Sequence, residues 1–170
     1  MDQIRFLLAD IQSPINLAQI LRTCEAFNHS LVFIHDPRKL FSTHAATIHD
    51  FSCGSSDRLK LEFIDQLKEF LQTYARRKVA TYLDDKSTPL HQFEFMRDDL
   101  VILGNEYTGL EERLVDLCDE KLVIELPPGY IPKSPSFQQI DISNTIRNDV
   151  MSSLNVAASA AIIAYKNHIT

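Results

Sequence analysis

Short apolar runs alternate with helical patterns along the chain. Six runs, several of them almost continuously apolar, predict strands, because unbroken apolar runs are typical of strands buried on both faces of a sheet. The predicted strands cover Ile4–Ala9, Leu31–His35, Leu59–Phe63, Val79–Leu83, Leu100–Leu103 and Leu122–Leu126. The helical patterns cover Pro14–Phe27, Asp65–Arg76, Leu110–Cys118 and Ser153–Lys166. This alternation predicts a single α/β domain over 1–170, with a mainly parallel sheet flanked by helices.

Local sequence signals predict the start of the first helix, the burial of the last helix and one long loop. Ser13 is a favourable N-cap and Pro14 occupies the first turn that follows it, where its missing N–H costs nothing. The last helix is rich in alanine and apolar on nearly all sides, which predicts burial in the core or at a subunit interface. Segment 128–151 is rich in Pro, Ser and Asn. A loop of that length is typically functional or mobile.

The composition does not favour nucleic-acid binding, and it argues against disulfides, a metal site and a membrane span. The formal charge of the 170 residues is −6, which does not favour nucleic-acid binding. Three cysteines without a CxxC pair predict neither a disulfide framework nor a zinc site, and the six histidines form no metal-binding motif. No apolar run approaches the roughly 18 residues that cross a bilayer. We therefore expect a cytoplasmic protein without metal or membrane partner.

Three motifs carry candidate chemistry. The first, QSPINLAQILRTCEAF over 12–27, opens a helix with Asn16 and Arg22. The second, LVILGNEYTGL over 100–110, is a strand followed by a turn that contains Glu106. The third, SSLNVAA over 152–158, enters the last helix. Each motif alone has an ordinary explanation, namely an amphipathic helix with a solvated arginine, a strand–helix turn, and helix capping.

The ordered set of motifs, from Ala9 to about Tyr165, resembles the SpoU/TrmH family of the SPOUT superfamily. That resemblance implies transfer of a methyl group from S-adenosylmethionine to a ribose 2′-hydroxyl of RNA. It also implies a homodimer and a SPOUT-type α/β fold with a deep C-terminal trefoil knot. Knots are very rare in proteins, and nothing in the hydrophobic pattern could predict one.

The resemblance assigns two groups of residues. The implied catalytic residues are Asn16, Arg22, Glu106, Ser153 and Asn155. The implied methyl-donor contacts are Thr81, Gly104, Asn105, Gly109, Leu126, Pro127, Ser153 and Leu154. Arg22 is either a transiently deprotonated base or a group that binds a phosphate and orients the hydroxyl. The second role is physically simpler, because the pKa of arginine exceeds about 12.

Segment 128–151 departs from the family pattern, since it separates Leu126-Pro127 from Ser153-Leu154 much more widely than family members do. One hypothesis makes it a lid over the donor or the RNA. The lid would offer Lys133 and Arg147 to phosphates and Tyr130 or Phe137 for stacking on a base. The alternative is a disordered loop.

Basic residues cluster at Arg38-Lys39, at Arg58 with Lys60, and at Arg76–Lys78. Local clusters of this kind could place RNA despite the negative total, although Arg76–Lys78 also fits a helix end, where the dipole favours basic residues. The absence of an RNA-binding extension favours tRNA over rRNA as substrate. The alternative function is a catalytically silent homologue that binds RNA or a nucleoside.

Overall fold

A computed structural model describes residues 3–126 and 154–170. Seven strands form one sheet in the order β3-β2-β1-β6-β4-β7-β5, and all neighbouring strands are parallel. The strands are β1 Arg5–Ala9, β2 Leu31–His35, β3 Lys60–Phe63, β4 Lys78–Thr81, β5 Thr88–Pro89, β6 Leu100–Leu103 and β7 Glu120–Val123. The described helices are α1 Pro14–Ala26, α2 Leu40–Thr43, α3 Ala45–Phe51, α4 Ser55–Arg58, α5 Leu67–Thr73, α6 Glu112–Val115 and α7 Val156–Ile169, with a 3-10 turn at Leu90–Gln92.

The central strands explain the apolar runs. Alternate side chains of β1 enter two separate hydrophobic clusters, Phe6 and Leu8 in one, Leu7 and Ala9 in the other. Successive side chains of a strand point to opposite faces, so both faces of the sheet are covered. The predicted α/β class with a parallel, doubly covered sheet is confirmed.

Both long helices begin with a side-chain cap. The Ser13 hydroxyl accepts a hydrogen bond from the Asn16 backbone N–H at 3.3 Å, as the sequence predicts for α1. The side-chain oxygen of Asn155 accepts from the backbone N–H groups of Ala157 and Ala158 at 2.8 and 3.3 Å. Asn155 is therefore the cap of α7.

Several element boundaries differ from the predicted ones. Helices α5 and α6 are shorter than the predicted Asp65–Arg76 and Leu110–Cys118, and α7 starts at Val156 rather than at Ser153. The short helices α2, α3 and α4 and the two-residue strand β5 had no counterpart in the prediction, since elements of four to seven residues or fewer carry little periodicity. None of the described helices is long and apolar enough to cross a membrane.

The topology fixes where a site can form. Strands β1, β6, β4 and β7 are consecutive in the sheet and parallel, so they all end at one edge, called here the carboxyl edge. The segment 10–13 after β1, the turn after β6 and Thr81 at the end of β4 consequently lie along that edge. In open α/β sheets ligands bind at the carboxyl ends of the strands. The path that would tie a knot includes 127–153, outside the described residues, so the knot stays a prediction.

Candidate active site

The centre of the candidate site is the Glu106 carboxylate. Its Oε2 accepts a hydrogen bond from the Gln12 backbone N–H at 2.8 Å. Its Oε1 accepts from the Ser13 backbone N–H at 3.0 Å and from Asn16 Nδ2 at 2.8 Å. Glu106 therefore ties the turn after β6 to the start of α1.

Asn155 extends this arrangement to the third motif. Asn155 Nδ2 donates to Asn16 Oδ1 at 3.1 Å, while its own Oδ1 caps α7. Each carboxamide has a fixed orientation, because one end faces acceptors and the other faces donors. We call Glu106, Asn16, Asn155 and the two backbone N–H groups of Gln12 and Ser13 the Glu106 network. It joins residues from all three motifs, as the resemblance implies.

The turn after β6 is shaped by its own residues. Asn105 Oδ1 accepts from the backbone N–H groups of Tyr107 and Thr108 at 2.9 and 2.8 Å. A Cβ on Gly104 would lie 2.5 Å from the backbone nitrogen of Leu110, so only glycine fits there. Gly109 has φ +67°, and a Cβ on it would meet none of the described residues within 4 Å. Gly104 and Asn105 thus close the turn, whereas Gly109 leaves open space beside the backbone.

The remaining predicted donor contacts are only partly described. The Thr81 hydroxyl donates to the Ile102 carbonyl at 2.8 Å and so links β4 to β6. Leu126 and Leu154 are half-buried and are the last described residue before 127–153 and the first one after it. The predicted site and lid residues that lie outside the described residues are Pro127, Tyr130, Lys133, Phe137, Arg147 and Ser153.

Arg22 lies apart from the Glu106 network. At 3.6 residues per turn it is about 120° around α1 from Asn16 and about 9 Å along the axis. Its side chain is exposed and makes no hydrogen bond or ion pair with any residue of 3–126 or 154–170. The structure therefore leaves this guanidinium available to an external anion.

Most of the other clustered basic residues already have acidic partners. Arg77 makes two hydrogen bonds to Asp99, whose side chain is 1% exposed, so Arg76–Lys78 has mainly a structural role. This run follows α5 rather than ending it. The ion pairs in these clusters are Arg38–Asp10, Arg58–Glu25, Lys60–Glu62, Arg77–Asp99 and Lys78–Asp119. The sequence pattern gives no sign of which cations are paired in this way.

Metal and thiol chemistry find no support in the described part of the chain. Its histidines, cysteines and carboxylates form no group of three or more that could hold a metal ion. Burial raises the pKa of Cys24 far above its ordinary value and raises that of Cys118 to about 11, so both thiols stay protonated at neutral pH.

Two relatives with established names share most of this chain. It is 28% identical over 150 residues to the 23S rRNA (guanosine-2′-O-)-methyltransferase RlmB of Acinetobacter baylyi, covering 84% of this chain and 56% of the relative. It is 22% identical over 160 residues to the tRNA (guanosine(18)-2′-O)-methyltransferase of Aquifex aeolicus, covering 92% of this chain and 64% of that protein. The chain thus spans less than two thirds of the length of these relatives.

Solved structures show the same fold. The TrmH/SpoU tRNA modifying enzyme of A. aeolicus matches with a TM-score of 0.75 at 19% identity, covering 99% of this chain and 75% of that one. The AdoMet-bound rRNA methyltransferase of Sinorhizobium meliloti matches with a TM-score of 0.67 at 20% identity, covering 98% of this chain and 56% of that one. The model of the SpoU rRNA methylase family matches residues 3–131. Because this match spans most of the chain and includes the first two motifs, the protein belongs to the SpoU rRNA methylase family.

Proposed function

We propose that the protein transfers a methyl group from S-adenosylmethionine to a ribose 2′-hydroxyl of RNA. The observation that carries this proposal is the Glu106 network, which joins the three motifs at the carboxyl edge through hydrogen bonds of 2.8 to 3.1 Å. A network in which each member fixes the next is suited to positioning, and methyl transfer depends chiefly on the alignment of acceptor oxygen and methyl carbon.

Within this proposal Arg22 is the residue that touches RNA. The Glu106 carboxylate already accepts three hydrogen bonds, and both ends of the Asn16 carboxamide are engaged, so these groups hold the site in shape. Arg22 alone of the four described catalytic candidates has a side chain without a hydrogen bond or ion pair to the rest of the described residues. A guanidinium binds a phosphate through paired N–H groups, and a phosphate held in this way orients the neighbouring ribose hydroxyl.

The residues at the carboxyl edge fit S-adenosylmethionine. Gly109 presents backbone with no neighbour within 4 Å of a Cβ, which leaves room for a ligand beside the turn. The residues that would hold the donor are Thr81, Gly104, Asn105, Gly109, Leu126 and Leu154, together with Pro127 and Ser153. When bound, the donor supplies an activated methyl group on a sulfonium.

An apolar surface on two helices supports a homodimer as part of the same proposal. Ile15 on α1 and Ile162, Tyr165 and Ile169 on α7 are each 39% to 57% exposed. The two helices pack against each other. Exposed apolar areas of this kind are typical of surfaces that associate.

We favour tRNA as the substrate and the cytoplasm as the site of action. The tRNA choice is supported by the A. aeolicus relative and by the structure named as a tRNA modifying enzyme. Other relatives are named for rRNA, so the experiment compares both RNAs. Free thiols at Cys24, Cys53 and Cys118 are ordinary in a reducing compartment.

The test is methyl transfer from labelled S-adenosylmethionine to unfractionated tRNA and, separately, to rRNA. Arg22→Ala is expected to lower the rate roughly a hundredfold, because the hydroxyl is no longer oriented. Arg97→Ala is the matched control, since Arg97 is also exposed and has no ion pair among the described residues. Donor binding without transfer to either RNA would contradict the proposal and favour a silent RNA-binding homologue.

A further inference from the structure

Arg22 has an acidic neighbour on its own helix. Glu25 follows it by three residues on α1, and side chains at this spacing lie on the same surface, with about 5–6 Å between their Cβ atoms. Side chains of opposite charge at this spacing are close enough to pair. Such a pair would occupy the guanidinium that the proposed function needs for RNA.

In the structure Glu25 is held by other partners. Arg58 donates from Nε to Glu25 Oε1 at 2.5 Å and from Nη2 to Oε2 at 2.7 Å. The Ser55 hydroxyl, whose single proton is shared between two acceptors, donates to Oε2 at 2.6 Å. These bonds to Arg58 and Ser55 lower the pKa of Glu25 to about 2, so the carboxylate is charged at any physiological pH and its charge is matched by Arg58.

The partners of Glu25 are themselves fixed. Ser55 is 1% exposed and begins α4, and its hydroxyl also donates to the Ser52 carbonyl at 2.8 Å. Arg58 ends α4 and donates a further hydrogen bond to the Cys53 carbonyl at 3.0 Å. We call the hydrogen bonds from Arg58 and Ser55 to the Glu25 carboxylate the Glu25–Arg58 clamp. It depends on α4, an element that lies outside all three motifs.

We propose that Arg58 is a positioning residue that keeps Glu25 paired and thereby leaves Arg22 free to bind the RNA phosphate. This inference rests on the proposed function. It gives Arg58 the role of neutralising the charge of Glu25 beside Arg22, at the same site. Without Arg58 the Glu25 carboxylate becomes an unmatched negative charge beside Arg22. That charge competes with the phosphate for the guanidinium.

The test measures the affinity for unfractionated tRNA, and the KM and kcat of methyl transfer, at low salt. Arg58→Met removes the charge but keeps an apolar stem, and it is expected to weaken RNA binding about threefold, the effect of one unit charge about 6 Å away in water. The change appears in KM for RNA rather than in kcat. Arg58→Lys keeps the charge and is expected to restore most of the affinity.

Rescue separates this role from a structural one. Glu25→Gln removes the competing charge, so the single variant and the pair Glu25→Gln/Arg58→Met are both expected to bind RNA like the unmodified protein. If Arg58 only stabilised the fold, Glu25→Gln would be as harmful as Arg58→Met. If Arg58 itself bound RNA, Glu25→Gln would rescue nothing. Either result would overturn the inference.

A second comparison separates this inference from the proposed function. In an Arg22→Ala background, Arg58→Met is expected to have little further effect on affinity, because the group it protects is absent. If Arg22→Ala alone left transfer and binding unchanged, the role of Arg22 in the proposed function would fail. If Arg22→Ala impaired transfer while Arg58→Met did not weaken binding, only the role of Arg58 would fail.

Discussion

At the scale of single residues, the Glu106 network depends on the chemical type of each member. A carboxylate is an acceptor only, so Glu106 can satisfy three donors at once, whereas a carboxamide would turn an NH2 group toward one of them. The orientation of Asn16 follows from Glu106, and the contact with Asn155 follows from the capping of α7. One substitution at Glu106 therefore propagates to all three motifs.

Glu106→Gln is expected to lower the free energy of unfolding by about 1.5–3 kcal/mol, because hydrogen bonds to a charged group are lost. Methyl transfer falls as well, since Asn16 loses its fixed orientation. Urea unfolding and labelled transfer measure the two effects. Glu111→Gln is the control, because among the described residues the Glu111 side chain is paired only with the exposed Arg113. Equal behaviour of the two variants would argue against the Glu106 network.

His29 gives a prediction about pH. Its ring is 2% exposed, its Nδ1 donates to the Ile4 carbonyl at 3.1 Å, and its Nε2 has no hydrogen-bond partner among the described residues. Burial, and then the proximity of His168, lower the pKa of His29 below its usual value of about 6.5. The folded state thus binds fewer protons than the unfolded state just below that pH. The contribution of neutral His29 to the free energy of unfolding is therefore fully present above about pH 6.5. It is lost as the pH falls below that value toward the lowered pKa of the folded state.

The pH dependence of the free energy of unfolding between pH 7 and pH 5 measures this effect. His29→Gln is neutral throughout and can still donate to the Ile4 carbonyl, so it is expected to remove up to about 1.4 kcal/mol per pH unit from the slope. His44→Gln, at an exposed histidine, is the control for the substitution itself. An unaltered slope in His29→Gln would show that His29 does not titrate in this way.

At the scale of elements, the turn after β6 contains two glycines with different reasons for being glycine. Gly104 faces the backbone of Gly109 and Leu110, so any side chain collides with main-chain atoms that cannot rotate away. Gly109 has a left-handed φ of +67° and open space around it, so only the backbone conformation disfavours a side chain. The ordinary explanation of a strand–helix turn accounts for Gly104, and the open space at Gly109 is what suits a ligand.

Gly104→Ala is therefore expected to cost about 3 kcal/mol of stability through overpacking, and Gly109→Ala about 1 kcal/mol through backbone strain. Chemical unfolding of the two variants measures the difference. Gly109→Ala is also expected to weaken donor binding while the fold is kept. A Gly104→Ala variant no less stable than Gly109→Ala would contradict the close approach within the turn.

The strands longer than two residues and the long helices were predictable because their patterns extend over whole periods. The buried run of β6 and the capped start of α1 are examples, since both carry their own signals. The resemblance to the family predicted which residues belong to the candidate site, but it did not predict which of them form hydrogen bonds with one another. Hydrogen bonds between Asn155 and Asn16, or between Arg58 and Glu25, join residues far apart in sequence, and no local pattern encodes such partners.

At the scale of the whole molecule, the negative charge raises the question of where RNA binds. The formal charge is −6, and many clustered cations are neutralised by neighbouring carboxylates. A free arginine such as Arg22 then has more effect than the total charge suggests, because binding depends on the local field. The Glu25–Arg58 clamp preserves that local field.

Because many of the described cations are paired with carboxylates, we expect only a few phosphate contacts. The logarithm of the RNA binding constant is expected to fall with the logarithm of salt concentration with a slope no steeper than about −3, which corresponds to three or four phosphates. Titrations of tRNA at several salt concentrations measure this slope. Arg22→Ala should make it shallower by about one contact. A slope near zero would argue against phosphate contacts, as the negative formal charge of the chain does.

The proposed activity is methylation of a ribose 2′-hydroxyl of RNA. The most direct test is to incubate the protein with S-adenosylmethionine labelled in the methyl group and unfractionated tRNA, digest the RNA, and identify the labelled nucleoside. We expect label in a 2′-O-methylated nucleoside, and a rate that falls roughly a hundredfold in Arg22→Ala but not in Arg97→Ala. Label on a base, or equal rates for the Arg22→Ala variant and the unmodified protein, would contradict this proposal.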